Sequence, residues 1–193
     1  MATSARESEA SGVRWLILGV LLILPMVLPI LPIEEFVKFQ ERLGITHSST
    51  EKSQIGATLP QYYTDEFNWE EMAQAVARVY HTLTPEEQAE TAIFTDNYGE
   101  AAAIYFFGPK YGLPKAISGH QSYFLWGPRG YTGEIVIRVG APLEGLRSSY
   151  ESVTVGATIE NPYAFSNETR PVLLCRGRRE NYQTQWGNVK KWE

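Results

Sequence analysis

The pattern of hydrophobic and polar residues separates an apolar N-terminal segment from a longer region of mixed character. Residues 15–33 carry no charge, whereas residues 1–12 are mostly small and polar. A helix of these 19 uncharged residues would rise about 28 Å, which is close to the hydrocarbon thickness of a bilayer. We therefore predict a disordered tail over residues 1–12 and one transmembrane helix over residues 13–33.

Three prolines lie in the second half of this apolar segment. Pro25, Pro29 and Pro32 fall on one face of a helix and predict a kink, whose freed carbonyl groups would need neighbouring helices as partners. A cleaved signal peptide is the alternative, but the residues from Pro25 to Pro29 offer no small-residue processing site. Basic residues flank the segment equally on both sides, so the flanking charge leaves its orientation open.

The region after the apolar segment begins with a short amphipathic pattern. Residues 34–43 predict a helix that can lie at a membrane interface, and residues 44–58 are polar and predict a linker. Helical spacing returns in residues 69–83, where an apolar stripe predicts packing against a core. Asn68 and Glu71 have the spacing of a capping box at the start of that helix.

The remaining chain predicts an α/β domain over residues 59–193. Strand patterns occur in residues 91–95, 115–118, 134–139, 152–160 and 170–176. A helix that opens at Tyr98 lies between the first two strands, and this order predicts parallel strands joined across one face of a sheet. The last two strands can add an antiparallel pair. The predicted fold class is α/β, a small, mostly parallel, three-layer sheet domain with an antiparallel strand pair, preceded by one transmembrane helix.

Polar residues follow the first two predicted strands. Because ligands bind at the carboxyl ends of parallel strands, we predict a crevice there. Its candidate ligand-binding residues are Asn97, Tyr98, Glu100, His120 and Gln121. The free N–H groups of the helix start can hold an anion, but Glu100 would repel a phosphate and also suits the helix dipole without any ligand. A lone histidine such as His120 is more often a hydrogen-bonded structural residue than a catalyst.

Composition limits the classes of function. The chain has 17 Lys and Arg against 22 Asp and Glu, for a net charge of -5 and no basic stripe, which argues against a nucleic-acid partner. Its single cysteine, Cys175, cannot form an intrachain disulfide and has the pattern of a buried strand residue. The sequence contains no phosphate-binding glycine loop, zinc-type Cys and His spacing or nucleophile elbow. We therefore predict no catalytic residue, no metal and no cofactor from these patterns.

A series of short motifs, in order, resembles one family. They are Tyr98-Gly99-Glu100-Ala101, Phe107-Gly108, Leu113-Pro114, Ile117-Ser118-Gly119-His120, Tyr123, Leu125-Trp126-Gly127-Pro128, Cys175-Arg176-Gly177 and a tail from Trp186 to Lys190. The series resembles the extracytoplasmic C-terminal domain of bacterial membrane glycosyltransferases of the protein-mannosyltransferase and aminoarabinose-transferase superfamily, glycosyltransferase family thirty-nine and its neighbours. The resemblance covers residues 59–192, and residues 13–33 would correspond to the last transmembrane helix of that family.

The resemblance implies a multi-pass enzyme that moves a sugar from a polyprenyl-phosphate carrier to an acceptor outside the cytoplasm. In that family the catalytic carboxylates lie in the membrane half, so no catalytic residue is carried over to this chain, which is expected to be inactive alone. The implied partners are the lipid bilayer, a polytopic glycosyltransferase membrane subunit, and the polyprenyl-phosphate sugar or glycan acceptor. The implied location is the cell inner membrane, single-pass, with the globular domain on the periplasmic side.

Two hypotheses of function remain open. In the first, the chain is the C-terminal part of an integral-membrane glycosyltransferase and lacks the catalytic membrane half. In the second, it is a non-catalytic, membrane-tethered α/β module that binds a glycan or another partner of the cell envelope. Trp126 is then a further candidate ligand-binding residue, because its ring can stack on a sugar face, although aromatic residues beside Gly-Pro turns usually cover the edge of a core.

Overall fold

The computed structural model describes residues 2–28, 30–45, 59–159, 161, 163 and 170–192. The chain divides into two compact units, Met1–Ser48 and Ser49–Glu193. Most of the predicted linker over residues 44–58 lies outside the described residues, as do parts of the chain between the last two predicted strands.

The N-terminal unit contains two helices, α1 (Ala2–Val27) and α2 (Ile33–Arg42). α1 begins at Ala2, so the prediction of a disordered tail over residues 1–12 differs from the structure. The alanine, glutamate and arginine residues of this stretch favour helix, and the helix therefore begins before the apolar segment. The helix predicted over residues 13–33 is interrupted. α1 ends two residues after Pro25, and Pro32 caps the start of α2, because proline lacks the N–H group that helix continuation needs.

The apolar side chains of α1 stand exposed. Trp15, Leu16 and Val27 are examples, and the exposed large residues continue along the helix between them. Among the residues whose positions the structure describes, no helix is both long enough and apolar enough to cross a membrane.

The second unit is built on a five-stranded sheet in the order β2-β1-β3-β5-β4. The strands are β1 (Thr91–Thr95), β2 (Ile117–Ser118), β3 (Ile135–Val139), β4 (Tyr150–Ala157) and β5 (Val172–Arg178). β1 is parallel to both β2 and β3, whereas β5 is antiparallel to both β3 and β4. The predicted α/β class is confirmed. The sheet is mixed rather than mostly parallel, because β5 returns beside β3 instead of crossing over in parallel.

Helices connect the strands and complete the core. They are α3 (Gln61–Thr64), α4 (Trp69–Tyr80), α5 (Pro85–Glu90), α6 (Tyr98–Phe107), α7 (Leu143–Leu146) and α8 (Tyr182–Gln185), with short 3-10 helices at Gly108–Tyr111, Gln121–Trp126 and Trp186–Val189. Strand side chains alternate between the two sheet faces. One face packs against α4 and α6, and the other packs against residues of α7 and α8, including the buried Tyr182.

The starts of α4 and α6 have similar sequence patterns but different caps. Asn68 does not cap α4 as predicted, because its backbone is left-handed (φ 72°) and its side chain makes no capping hydrogen bond. Asn97 does cap α6 and forms a full capping box with Glu100. The start of α6 is therefore held firmly at the carboxyl end of β1, where it contributes to the candidate site.

Candidate functional site

The carboxyl ends of three strands meet at one edge of the sheet. Thr95 of β1 pairs with Ser118 of β2 on one side and with Val139 of β3 on the other. The residues that follow these strands therefore lie side by side, as expected for an α/β crevice. The next turn of chain after β1 leads directly into α6, so the helix start faces the same edge.

The C-terminal segment closes this edge from a distant part of the sequence. The backbone N–H of Lys191 donates to the carbonyl of Gly119 (2.9 Å), and the N–H of Gln121 donates to the carbonyl of Lys191 (2.8 Å). A side chain at residue 119 would overlap the carbonyl of Val189, since its Cβ would lie 1.7 Å from that oxygen. Gly119 therefore permits the close approach of the tail. Trp186 anchors the tail by donating to the carbonyl of Phe124 (2.9 Å).

Glu100 and Asn97 hold the turn between β1 and α6. The side chain of Asn97 accepts from the N–H of Glu100 (2.8 Å). One carboxylate oxygen of Glu100, Oε2, accepts from the N–H groups of Asp96 (2.8 Å) and Asn97 (3.0 Å). Both predicted site residues thus accept hydrogen bonds from backbone N–H groups, which supports a structural role for the turn from Asn97 to Glu100.

The carboxyl group of Glu100 is fully buried, and its second oxygen, Oε1, has no hydrogen-bond partner among the described residues. Burial, together with the nearby charge of Asp96, raises its pKa to about 7 despite the backbone N–H groups that favour the ionised form. Gly140, directly after β3, makes room for this group. A Cβ there would lie 2.0 Å from Oε1, and the backbone of Gly140 has a left-handed φ of +78° that favours glycine.

His120 faces the start of α6. Its Nδ1 accepts from the N–H of Tyr98 (3.2 Å), and the two rings are 5.2 Å apart. In the neutral ring the proton therefore sits on Nε2, which is buried and has no hydrogen-bond partner among the described residues. Burial and the positive charge of Lys191 lower the pKa of His120, and the opposing effect of Asp96 is smaller. His120 is thus held as a neutral hydrogen-bond donor.

An ion pair that the sequence analysis missed completes the site. Nη2 of Arg138 lies 2.6 Å from Oδ1 of Asp96, and the guanidinium stacks over the ring of Phe94 at 4.0 Å from the centroid. The side chain of Arg138 is buried in the sheet. One signal was available in the sequence, since Arg138 interrupts an otherwise apolar strand, and a buried charge needs a partner.

These groups surround a cavity of about 160 Å³, which is lined by Phe94, Asp96, Gly119, His120, Arg138, Val189 and Lys191. The lining residues include a carboxylate (Asp96), a guanidinium (Arg138), an imidazole (His120) and an aromatic ring (Phe94), and the exposed Lys191 joins them at the C-terminal tail. This arrangement can bind a small group that both donates and accepts hydrogen bonds. A purely anionic ligand is matched less well, because the carboxylate of Asp96 stands in the lining.

The structure brings only some of the predicted site residues together. Tyr98 and His120 touch, and His120 lines the cavity, while Asn97 and Glu100 support it from the turn. Gln121 is exposed and joins the C-terminal tail through its backbone.

Trp126 does not line this cavity. It packs instead against Tyr123, with ring centroids 4.6 Å apart, and against Tyr105 at 5.6 Å. The charged residues of the lining, Asp96, Arg138 and Lys191, were not selected by the sequence analysis.

Neither metal chemistry nor similarity to known proteins identifies the site. Within the described stretches of the chain, no group of three or more His, Cys, Asp or Glu side chains is placed to hold a metal ion. Comparisons of the chain with protein-family models, with curated proteins and with solved structures find no match. The residues around the cavity therefore carry the functional inference.

Proposed function

We propose that this chain is the C-terminal part of an integral-membrane glycosyltransferase that transfers a sugar from a polyprenyl-phosphate carrier to an extracytoplasmic acceptor. Its globular unit supplies a binding site for a carbohydrate group, and the catalytic groups belong to a membrane half outside this chain. The observation that carries the proposal is a convergence. Of the motifs behind the family resemblance, those that begin at Ile117 and Trp186 contribute Gly119, His120 and Val189 to the cavity lining, and the motif that begins at Tyr98 contacts His120.

The chemistry of the cavity suits sugar hydroxyl groups. A hydroxyl donates one hydrogen bond and accepts others, so it can donate to Asp96 while accepting from Lys191. The Nε2–H group of His120 is a buried donor that has no partner among the residues the structure describes, and such a group gains free energy when a ligand oxygen accepts from it. Phe94 adds an apolar surface beside these polar groups.

The carboxylates of the site favour binding over catalysis. Asp96 is paired with Arg138, and Glu100 is held by two backbone N–H groups at the start of α6. Asp96 is therefore occupied by a cation, and Glu100 is fully buried and does not line the cavity, so neither is placed to act on a glycosidic bond there. This is consistent with the resemblance, which places the catalytic carboxylates elsewhere.

The exposed apolar side chains of α1 support a membrane attachment of the N-terminal unit, because so extended an apolar surface is normally covered. We therefore place the chain in the cell inner membrane, with the globular unit on the periplasmic side and a polytopic membrane subunit and the bilayer as partners. The alternative is a non-catalytic, membrane-tethered module that binds a glycan or another envelope partner. The same cavity supports it, since the lining offers recognition without a free nucleophile.

Sugar binding by the full-length chain in detergent tests the site. Saturation-transfer NMR and calorimetry with mannose, glucose, galactose and a short-chain polyprenyl-phosphate mannose measure the affinity. Lys191→Met keeps the length of the side chain but removes its charge, and we expect about a tenfold rise in Kd from the loss of one charge-assisted hydrogen bond. Lys190→Met is the matched control, because its ammonium lies over the rings of Phe124 and Trp192 rather than in the cavity.

The proposal of a carbohydrate site fails if the wild-type chain binds none of these ligands, or if both lysine variants weaken binding equally. A separate measurement decides between the two functions. Sequencing the locus upstream of the Met1 codon and mapping its protein products shows whether a membrane glycosyltransferase half is encoded in frame or beside it. A short protein that accumulates without such a partner favours the tethered module.

A further inference from the structure

An exposed aromatic surface lies on the outer side of α6. Tyr98, Ala102 and Phe106 are spaced four residues apart and therefore share one face of this helix, and all three are exposed. The adjoining 3-10 helix Gln121–Trp126 adds Leu125 and Trp126. We call these five residues the aromatic surface. Its largest side chains are strongly exposed: Phe106 by 79%, Leu125 by 71% and Trp126 by 51%.

The 3-10 helix Gln121–Trp126 contacts α6 through Tyr105, the partly buried neighbour of Phe106. Tyr105 of α6 lies 5.6 Å from Trp126 and 5.6 Å from Tyr123, measured between ring centroids. The opposite side of α6 is in the core, with Ala101 and Ile104 buried. A helix that is apolar on every side is normally buried on every side. α6 is largely apolar, yet one of its faces is exposed to water. This exposed face is therefore a candidate surface for binding a partner.

Two cations border the aromatic surface. The ammonium of Lys115 lies 5.6 Å from the ring of Tyr105, and the guanidinium of Arg129 lies 5.6 Å from the rings of both Tyr105 and Trp126. Arg129 also donates to the hydroxyl of Tyr105. Neither cation forms a salt bridge with a residue that the structure describes. The whole chain has a net charge of -5, so the local positive charge of these two residues is opposite in sign to the net charge of the chain.

We infer that the aromatic surface docks on the headgroup region of a bilayer that contains anionic lipids. Phe106 and Leu125 enter the interface with their apolar side chains, together with Trp126, whose ring carries the polar N–H group that is favoured there. Lys115 and Arg129 meet the lipid phosphates, because basic side chains near an anionic membrane are attracted to it. This inference rests on the membrane attachment in the proposed function, which brings the globular unit near lipid.

Charge complementarity selects lipid as the occupant. The exposed apolar side chains are few and are bordered by cations that have no carboxylate partner in the described part of the chain, which is the pattern of an interfacial lipid contact. A second copy of the chain would oppose the same cations across a symmetric interface, where like charges repel. A membrane contact neutralises them instead.

Spin labelling of the full-length chain in vesicles tests the inference. Labels are attached to Phe106→Cys and, in a second sample, to Leu125→Cys, both at exposed positions that leave the core intact. Glu144→Cys on α7 is the control, because the Glu144 side chain is 81% exposed outside the aromatic surface. The native Cys175 can remain, since it is buried and burial raises the pKa of its thiol to about 11, which leaves it unreactive toward the label.

Collision with oxygen and with a water-soluble nickel complex reports where each label lies. In vesicles of phosphatidylcholine and phosphatidylglycerol, we expect the ratio of oxygen to nickel accessibility to rise several-fold at residues 106 and 125 but not at residue 144. Lys115→Glu combined with Arg129→Glu should return the two surface labels to the aqueous value, as should vesicles of phosphatidylcholine alone.

Three outcomes overturn docking when the chain does bind the vesicles. In the first, the surface labels stay fully aqueous. In the second, they become shielded from both reagents, as in contact with a second copy or another protein, and in the third they enter lipid regardless of charge. Sugar binding measured on the same sample separates this inference from the carbohydrate site, since either can fail while the other holds. A chain that does not sediment with vesicles at all refutes the membrane attachment and the docking together.

Discussion

Helix α6 begins beside the cavity and carries part of the aromatic surface, and its two ends differ in what they bury. At its start, α6 buries the carboxyl group of Glu100, whereas two turns later it exposes the ring of Phe106. A buried charge and an exposed large apolar side chain are the two informative departures from ordinary burial. The buried carboxyl group is held by hydrogen bonds within the fold, and the exposed ring is not. Glu100 accepts from the backbone N–H groups of Asp96 and Asn97, and His120 accepts from that of Tyr98, whereas the side chain of Phe106 is 79% exposed.

The largest expected effect comes from filling the space beside Glu100. Gly140→Ala places a Cβ 2.0 Å from Oε1 of Glu100 and also forces a side chain onto a left-handed backbone. We expect a loss of about 4 kcal/mol in the free energy of unfolding, measured by denaturant titration, because the buried carboxylate must move.

Gly130→Ala is the matched control for this substitution. Gly130 has a similar φ of +88°, but no heavy atom lies within 4 Å of a Cβ built there. It should cost only the backbone strain, about 1–2 kcal/mol. Equal losses in the two variants would mean that Glu100 is not held against Gly140.

The next effect depends on pH. The folded pKa of Glu100 is raised by burial to about 7 from the ordinary value of 4.5, so between these values the folded state keeps a proton that the unfolded state releases. Stability from this group is therefore present at low pH and is lost as the pH rises from 4.5 to 7, by about 3 kcal/mol. Glu100→Gln cannot ionise. Its stability relative to wild type should rise with pH across this window.

Unfolding free energies at several pH values between 4 and 8 measure this difference, in the wild type and in each variant. Glu144→Gln, at an exposed carboxyl group on α7, should keep the wild-type pH profile. If Glu100→Gln also follows the wild-type profile, the pKa of Glu100 is the same in the folded and unfolded states, and burial does not raise it.

The smallest effect is expected on the aromatic surface. Phe106→Ser combined with Leu125→Ser removes two exposed apolar side chains, so the free energy of unfolding should change by less than about 0.5 kcal/mol. Ile104→Ser, two residues earlier on α6 and buried, should cost several times more, because it puts a polar group into the core. Thermal and denaturant unfolding of the variants measures both. A large loss from the surface pair would show that its rings support the fold.

Much of the second unit was predictable because its elements are local. Strand β1 and the start of α6 lie where the pattern predicts them, and the last two strands are antiparallel neighbours as expected. Their boundaries shift by about two residues, which is usual at element ends. The position of β5 beside β3 was not predictable, because the polar connection before it permits more than one pairing.

The two capping patterns show the limit most clearly. Asn68 with Glu71 and Asn97 with Glu100 have identical spacing, yet only the second pair forms a capping box. Local propensity permits either outcome, and the surrounding chain selects one. For the same reason the sequence identified Asn97, Glu100 and His120 as polar residues near one edge but did not select Asp96 or Lys191.

By itself, the amino-acid sequence determined the local features of this protein: the apolar N-terminal segment, the amphipathic stripe of α4 and the strand-helix-strand order around α6. These follow from periodicity and from the conformational preferences of neighbouring residues. The tertiary structure alone decided the site. Asp96 meets Arg138, the tail at Lys191 closes over Gly119, and burial sets the pKa of Glu100. Each depends on groups that are distant in sequence, whose desolvation and pairing exist only once the chain has packed.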